Sequence, residues 1–261
     1  MKARFPVFAA PPADLAATWP HVSVILPAYN EAQNIVPLIH ALKRHLRVSH
    51  EILVMDDNSP DGTARAASDA FANDPTIKVH VRTADRGLAR SIRDGILRST
   101  GTKVIVMDTD FNHDPGLVGR FVELSASYDM VIGSRFCAGG GMENVWRYYC
   151  SLIFSLCLVR PLLRTSVRDT LCGYYLIDGD TLRALPLEQI CYGYGDYFFR
   201  LLWHAESAGC RLHEIPVYYR LRPTGQSKSN LVALLLSYSW EALKISWTAR
   251  RPHASGQPAR R

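Results

Sequence analysis

KVIVMDTD, from Lys103 to Asp110, is the stretch that decides the fold of this chain. Four apolar residues in a row, bounded by polar ones, read as a short buried strand. Asp108 and Asp110 then stand two residues apart where the strand ends. A buried strand that ends in carboxylates fits a parallel sheet whose ligand lies beyond its carboxyl edge.

The flanking sequence repeats this theme. Before it, VSVILP (Val22 to Pro27), EILVMDD (Glu51 to Asp57) and IKVHVR (Ile77 to Arg82) read as strands. Between them, Glu31 to Leu46, Asp61 to Ala72 and Leu88 to Arg98, with Gly87 near its start, read as helices. After it come a helix over Pro115 to Ser127 and a strand MVIGSR over Met130 to Arg135. Alternation of this kind predicts an α/β protein with a doubly wound, mostly parallel sheet. The second half is less regular. Gly139-Gly140-Gly141 reads as a flexible loop. Trp146 to Val159 is an apolar segment closed by Arg160-Pro161. Leu171 to Ile177 and Arg211 to Leu221 read as strands, Tyr197 to Ala208 as a helix stopped by Gly209, and Leu231 to Trp247 as an apolar helix.

A length of 261 residues with 48% hydrophobic and 21% charged residues fits one large globular domain with a small appendage, and excludes a disordered chain. The net charge of +6 suits phosphate-rich partners: nucleotides, nucleic acid or an anionic membrane face. Six cysteines form neither a C-x-x-C pair nor a zinc-spaced cluster, so they read as reduced thiols of a cytosolic protein. The first twenty residues carry prolines and no long apolar run, and read as a flexible leader rather than a signal peptide.

Three polar loops would converge at the carboxyl edge. Asp108 and Asp110 can hold a hard divalent cation that in turn binds a diphosphate, although acidic residues also end strands in solvated turns. DDNSPDGT (Asp56 to Thr63) sets Asp57 against a base or ribose and Asp61 at a helix N-cap, or is simply a turn. PAYNE (Pro27 to Glu31) offers Tyr29 as a stacking ring and Glu31 in the first turn of a helix, or is a polar connection.

These motifs, with RGLARSIRDGI (Arg86 to Ile96), MDTDFNHDP (Met107 to Pro115), GSRFCAGGG (Gly133 to Gly141), Trp146-Arg147 followed by Ser151, DTLCGYYLI (Asp169 to Ile177), HEIPVYY (His213 to Tyr219) and RPTGQSK (Arg222 to Lys228), resemble family 2 glycosyltransferases of the dolichol-phosphate mannosyltransferase type. The resemblance covers Val22 to Lys228 and implies a GT-A fold. It implies inverting transfer of a hexose, mannose favoured, from a nucleotide sugar, GDP-mannose favoured, to a polyprenyl or dolichyl monophosphate. It also implies roles for single residues. Pro27, Tyr29, Glu31 and Asp57 would line the nucleotide pocket, and Asp108 and Asp110 would hold Mg2+ or Mn2+ with the donor diphosphate. Asn112 would be a third ligand. Arg135, Arg147 and Ser151 would hold the lipid phosphate and the sugar, and Arg222 and Lys228 would close over the phosphates. A phosphate monoester is already anionic near neutral pH, so such an acceptor needs cations rather than a general base. The chain departs from the family where many members carry Glu before the HEIP-like strand. It has Arg200 there, with Asp196 as the nearby acid. The Gln-x-x-Arg-Trp motif of processive synthases is absent, which argues against a polymerising enzyme.

The implied organisation is a leader (1–20), a transferase domain (21–228), an apolar interfacial helix (229–248) and a disordered basic tail (249–261). The runs Tyr148 to Val159 and Leu231 to Trp240 are too short to span a bilayer. Their aromatics and nearby arginines suit helices lying on a membrane surface, and their length equally suits core helices. The expected location is the cytoplasmic face of a membrane, held peripherally. Two other functions stay open at this level. One is a transferase to a soluble hydroxyl acceptor, with Asp196 as its base. The other is a non-enzymatic basic protein that binds nucleotides or nucleic acid, against which the intact DTD, Arg135 and Arg147 argue.

Overall fold

The computed structural model describes residues 21–220 and 231–249. The expectations on the leader, on Arg222 and Lys228, and on the tail beyond Ala249 lie outside the described residues. The first half alternates β1 (Val22–Ala28), α1 (Ile35–His45), β2 (His50–Asp56), α2 (Thr63–Ala70), β3 (Ile77–Val81), α3 (Leu88–Arg98) and β4 (Lys103–Val106). A 3-10 turn (Pro115–Leu117) leads into α4 (Val118–Leu124) and β5 (Met130–Ser134). Then come β6 (Gly141–Met142), α5 (Val145–Ile153), a π-helical turn (Phe154–Val159), α6 (Arg160–Leu163) and β7 (Tyr175–Asp178). The chain continues through α7 (Gly179–Ala184), α8 (Leu187–Ile190), α9 (Tyr197–Ser207), β8 (Leu212–Pro216), β9 (Tyr218–Tyr219) and α10 (Leu231–Ala249).

Seven strands form one sheet in the order β3-β2-β1-β4-β7-β5-β8. All its pairings are parallel except those of β7, which runs antiparallel to both β4 and β5. Every residue of β1 and β5 is buried, as expected of strands covered on both faces. β3 lies at the edge and is half exposed. Inside the sheet, Glu51 is buried yet fully engaged. It accepts Ser23 Oγ at 2.6 Å, Lys78 Nζ at 2.6 Å, the Thr100 N–H at 2.6 Å and Thr100 Oγ1 at 2.8 Å. Burial alone would raise this carboxyl, but those donors outweigh it and hold the pKa at about 2.

Several sequence expectations need correction. β4 stops at Val106, so Asp108 and Asp110 belong to the following loop rather than to the strand. Gly62, at φ 84°, stands at the α2 N-cap in place of Asp61, whose carboxylate instead accepts the N–H groups of Thr63 and Ala32 at 3.0 Å each. The strand expected from Leu171 begins only at Tyr175, after a turn through Gly173. The strand expected over Arg211 to Leu221 is split: β8 extends the main sheet, and β9 pairs in parallel with β6. Arg160-Pro161 does not close the apolar segment, because the helix runs on to Leu163. Pro161 lacks an N–H, and the preceding residues Phe154–Val159 form a π-helical turn, where the regular ladder is already interrupted. The triple-glycine loop is tightly packed, not slack. A Cβ on Gly140 would lie 2.5 Å from the Ser134 carbonyl oxygen and 2.8 Å from that of Arg135.

A main core covers the sheet, and a smaller cluster gathers Phe154, Val159, Leu163, Phe199, Tyr238 and Ala242. That cluster seats one side of α10 on the body of the protein. No helix of the described residues is long and apolar enough to cross a membrane.

Candidate functional site

The carboxyl ends of β1, β2 and β4 lie side by side, since Ala28 is in register with Asp56 and Ile25 with Val106. Their loops are stitched together by side chains. The Ser59 hydroxyl accepts the Asn30 N–H at 3.0 Å, and Thr63 Oγ1 accepts the Glu31 N–H at 2.9 Å. Asn30, Asn58 and Phe111 hold the left-handed backbone at φ 60°, 55° and 62°. Such strain gathers where surrounding contacts over-determine a loop.

The predicted nucleotide residues meet here. Pro27 is buried at the end of β1. Tyr29 is exposed, and the Arg86 guanidinium stands 5.2 Å from its ring centroid. Glu31 accepts the Asn34 amide at 2.7 Å. Asp57 is buried, ion-paired with Arg82, and accepts the Gly87 N–H at 2.6 Å. Gly87 has φ 132°, a backbone that only glycine adopts readily, so this N–H can face the carboxylate.

In the next loop, Asp110 is buried and accepts both the Asn112 N–H and its side-chain amide at 3.0 Å. Asn112 thus spends its nitrogen on Asp110, and its Oδ1 is the atom that could ligate. Asp108 is half exposed. Among the described residues, no group of three or more His, Cys, Asp or Glu is set to hold a metal. Two carboxylates and an amide oxygen nevertheless suit a hard cation that takes its remaining ligands from substrate phosphates and water.

The opposite wall carries the cations. Arg135 is buried and meets Asp169 side on, with Nε–Oδ2 and Nη2–Oδ1 both 2.7 Å. Burial pulls the Arg135 pKa down, but the Asp169 carboxylate overrides this and holds it above its ordinary value. Asn144 caps α5 by accepting the Arg147 N–H at 3.0 Å. One turn on, the buried Ser151 hydroxyl donates to the Arg147 carbonyl at 2.7 Å. Arg147 and Ser151 therefore share a face of α5. Val145, Trp146, Tyr149 and Ile153 of the same helix are exposed.

Asp196 does not stand ready as a base. It is buried, one oxygen accepts Arg200 Nη1 at 2.5 Å, and the other accepts the Tyr194 N–H at 2.8 Å. Arg200 is itself buried, with its guanidinium 3.6 Å from the Tyr192 ring centroid. The pair is structural: it braces the start of α9. All six cysteines are free thiols.

Sequence reasoning misses His113 and Tyr219. His113 is fully buried, and its Nδ1 accepts the Asp108 N–H at 2.8 Å. Its Nε2 lies 2.5 Å from Tyr219 Oη. The residues are 106 positions apart, so the sequence offered only a histidine three residues after Asp110, with nothing to pair it with Tyr219.

Residues 23–180 match the family model "Glycosyl transferase family 2". The chain is 34% identical to undecaprenyl-phosphate mannosyltransferase of Micrococcus luteus, over 85% of this chain and 97% of that protein. It is 30% identical to dolichol-phosphate mannosyltransferase of Pyrococcus furiosus over 79% of this chain, but spans only 58% of that longer protein. Among solved structures, glucosyl-3-phosphoglycerate synthase from Mycobacterium tuberculosis, in complex with Mn2+, UDP and phosphoglyceric acid, superposes with TM-score 0.67 at 19% identity, covering 95% of this chain and 84% of that one. Mannosyl-3-phosphoglycerate synthase from Rubrobacter xylanophilus gives TM-score 0.63 at 19% identity, covering 95% and 83%. The structural likeness establishes the GT-A fold, and the sequence matches show that this chain belongs to glycosyltransferase family 2 and resembles its polyprenyl-phosphate mannosyltransferases.

Proposed function

We propose that the protein transfers a hexose, mannose favoured, from a nucleotide sugar, GDP-mannose favoured, to a polyprenyl monophosphate. One observation carries the reading: the carboxylate loop and the arginine wall are separated by only two side chains. Asp108 binds His113, His113 binds Tyr219, and the Arg135 guanidinium stands 4.9 Å from the Tyr219 ring centroid. A donor diphosphate and an acceptor phosphate would meet across that short gap. The relatives' names support the lipid acceptor.

In this reading Tyr29, Glu31 and Asp57 seat the nucleoside, and Asp108, Asp110 and Asn112 hold Mg2+ or Mn2+. The cation, when bound, offsets charge on the departing nucleoside diphosphate. Arg147 and Ser151 hold the acceptor phosphate, and Arg135 contributes the Nη1 donor that Asp169 does not use. Arg222 and Lys228 belong to the same phosphate-binding set. An acceptor phosphate oxygen attacks C1 of the sugar as the bond from C1 to the diphosphate oxygen breaks. One in-line displacement inverts the configuration, and no proton need be removed from the nucleophile.

The protein works peripherally on the cytoplasmic face of a membrane, with the exposed aromatics of α5 and α10 against the bilayer. The transferase unit is 21–228, with 229–248 as its interfacial helix. The test is a donor screen of GDP-mannose, UDP-glucose and UDP-GlcNAc, each with a short polyprenyl phosphate and with a soluble hydroxyl acceptor. A mannosyl-phosphoryl lipid is the expected product. Transfer to the hydroxyl acceptor alone would overturn the reading.

A further inference from the structure

We propose that His113 and Tyr219 are positioning residues that couple the donor loop to the acceptor wall, so that loading the donor side organises the acceptor-phosphate side. The inference rests on the polyprenyl-phosphate reading above and adds a role for two residues outside the direct binding set.

The chemistry of the contacts fixes their direction. A backbone N–H can only donate, so His113 Nδ1, 2.8 Å from the Asp108 nitrogen, is the accepting, unprotonated atom. The ring proton therefore sits on Nε2 and points to Tyr219 Oη at 2.5 Å. Tyr219 Oη in turn donates to the Cys172 carbonyl at 2.8 Å. Every donor in this chain finds an acceptor, and His113 stacks on Tyr174 at 4.7 Å between centroids, 10° from parallel. Both residues are buried, so water does not compete for these bonds. At the far end the Tyr219 ring faces the Arg135 guanidinium at 4.9 Å. Arg135 is also gripped by Asp169, whose own N–H donates to Glu214 at 3.0 Å. Tyr219 further belongs to β9, whose partner β6 leads directly into α5, the helix of Arg147 and Ser151. A change in the Asp108 backbone on donor loading thus reaches Arg135 through two rings, His113 and Tyr219, and α5 through one strand pair. Packed groups with few alternative arrangements transmit such a shift rather than absorb it.

The test measures how the acceptor KM depends on donor concentration in the full chain, with GDP-mannose, Mn2+ and a short polyprenyl phosphate. In the wild type, saturating donor should lower the acceptor KM by about fivefold or more. Tyr219→Phe keeps the ring under Arg135 but loses the hydroxyl. It should fold with an unchanged donor KM and show a coupling factor near one. His113→Asn should behave alike, because its amide oxygen still accepts the Asp108 N–H but the side chain falls short of Tyr219. His113→Ala removes both arms and should raise the donor KM as well. A wild type that transfers to the lipid with the same coupling factor in Tyr219→Phe overturns the coupling. So does a variant that loses only kcat while the factor persists, since that is a purely structural effect. A wild type that transfers nothing to polyprenyl phosphate instead overturns the acceptor reading itself.

Discussion

Arg135 and Asp169 form a buried, side-on ion pair in which two guanidinium nitrogens meet both carboxylate oxygens at 2.7 Å, and the Arg135 N–H adds a third contact at 2.9 Å. Asp169 thereby aims the arginine as well as neutralising it. Asp169→Asn leaves the guanidinium buried beside a neutral amide. Removing one partner of a buried pair costs about 3–5 kcal/mol. Urea denaturation should show a loss of that order. A loss below about 1 kcal/mol, the range of a surface pair, would mean that solvent reaches Arg135.

Asp110→Ala should abolish transfer while leaving the fold intact. Asp110 accepts two bonds from Asn112 and stands beside Asp108, where the cation is proposed to bind. Losing it releases Asn112 and halves the carboxylate set. Transfer at a tenth of the wild-type rate or more, with Mn2+ present, would sink the metal role; circular dichroism checks the fold.

Arg147→Ala should weaken the acceptor more than the donor. A charge-assisted contact to phosphate contributes about 1.5–3 kcal/mol. The acceptor kcat/KM should therefore fall roughly ten- to a hundredfold. Ser151→Ala should give a smaller fall, because its hydroxyl already donates to the Arg147 carbonyl and must turn to serve a ligand. A defect confined to nucleotide binding would place Arg147 on the other wall.

Glu51 makes stability depend on acid. Its pKa in the folded protein is about 2, against an ordinary value of 4.5. A depressed carboxyl stabilises the fold fully above its unfolded pKa, and that contribution fades as pH falls toward the folded one. Glu51→Gln should cost about 1.5–3 kcal/mol at neutral pH, the range for a hydrogen bond to a charged group. The gap between variant and wild type should narrow between pH 4.5 and pH 2. A gap that stays constant across this window would show that Lys78, Ser23 and Thr100 do not control the carboxyl.

The first half of the fold was legible because β1, β2 and β4 are local apolar runs and their loops carry polar residues next in sequence. The antiparallel insertion of β7 was not, since which strands flank Tyr175–Asp178 depends on the path of the whole second half. The loops at the carboxyl edge were readable as motifs because each is contiguous. His113 and Tyr219 were not, because they act as a pair only after β9 is set beside the carboxylate loop. The ion pair of Asp196, the candidate base of the alternative reading, was not legible for a related reason. Its partner Arg200 sits one helical turn away, and sequence alone does not show that both are buried.

The membrane proposal is best tested on α10. Leu236, Trp240, Leu243 and Trp247 are exposed, and their spacing of four, three and four residues places them on one stripe of the helix. Tyr238 and Ala242, on the other side, are buried against Phe154 and Phe199. Deleting the helix would therefore remove part of the second cluster and confuse binding with unfolding. Trp240→Ser with Trp247→Ser removes mainly exposed apolar surface and one exposed contact of Lys244 with the Trp240 ring, and should shift the thermal midpoint little. Burying one large apolar side chain contributes about 1.5–3 kcal/mol. Partition of the double variant to anionic liposomes should fall roughly tenfold or more. Arg250, Arg251, Arg260 and Arg261 follow the helix in sequence, and each basic residue near an anionic surface adds about 1 kcal/mol. Wild-type binding should accordingly weaken as salt rises, through screening of those charges. Undiminished partition of the folded double variant would mean that α10 does not meet the bilayer. Partition insensitive to salt would remove the basic tail from the account and leave insertion of the apolar stripe as the sole source of attachment.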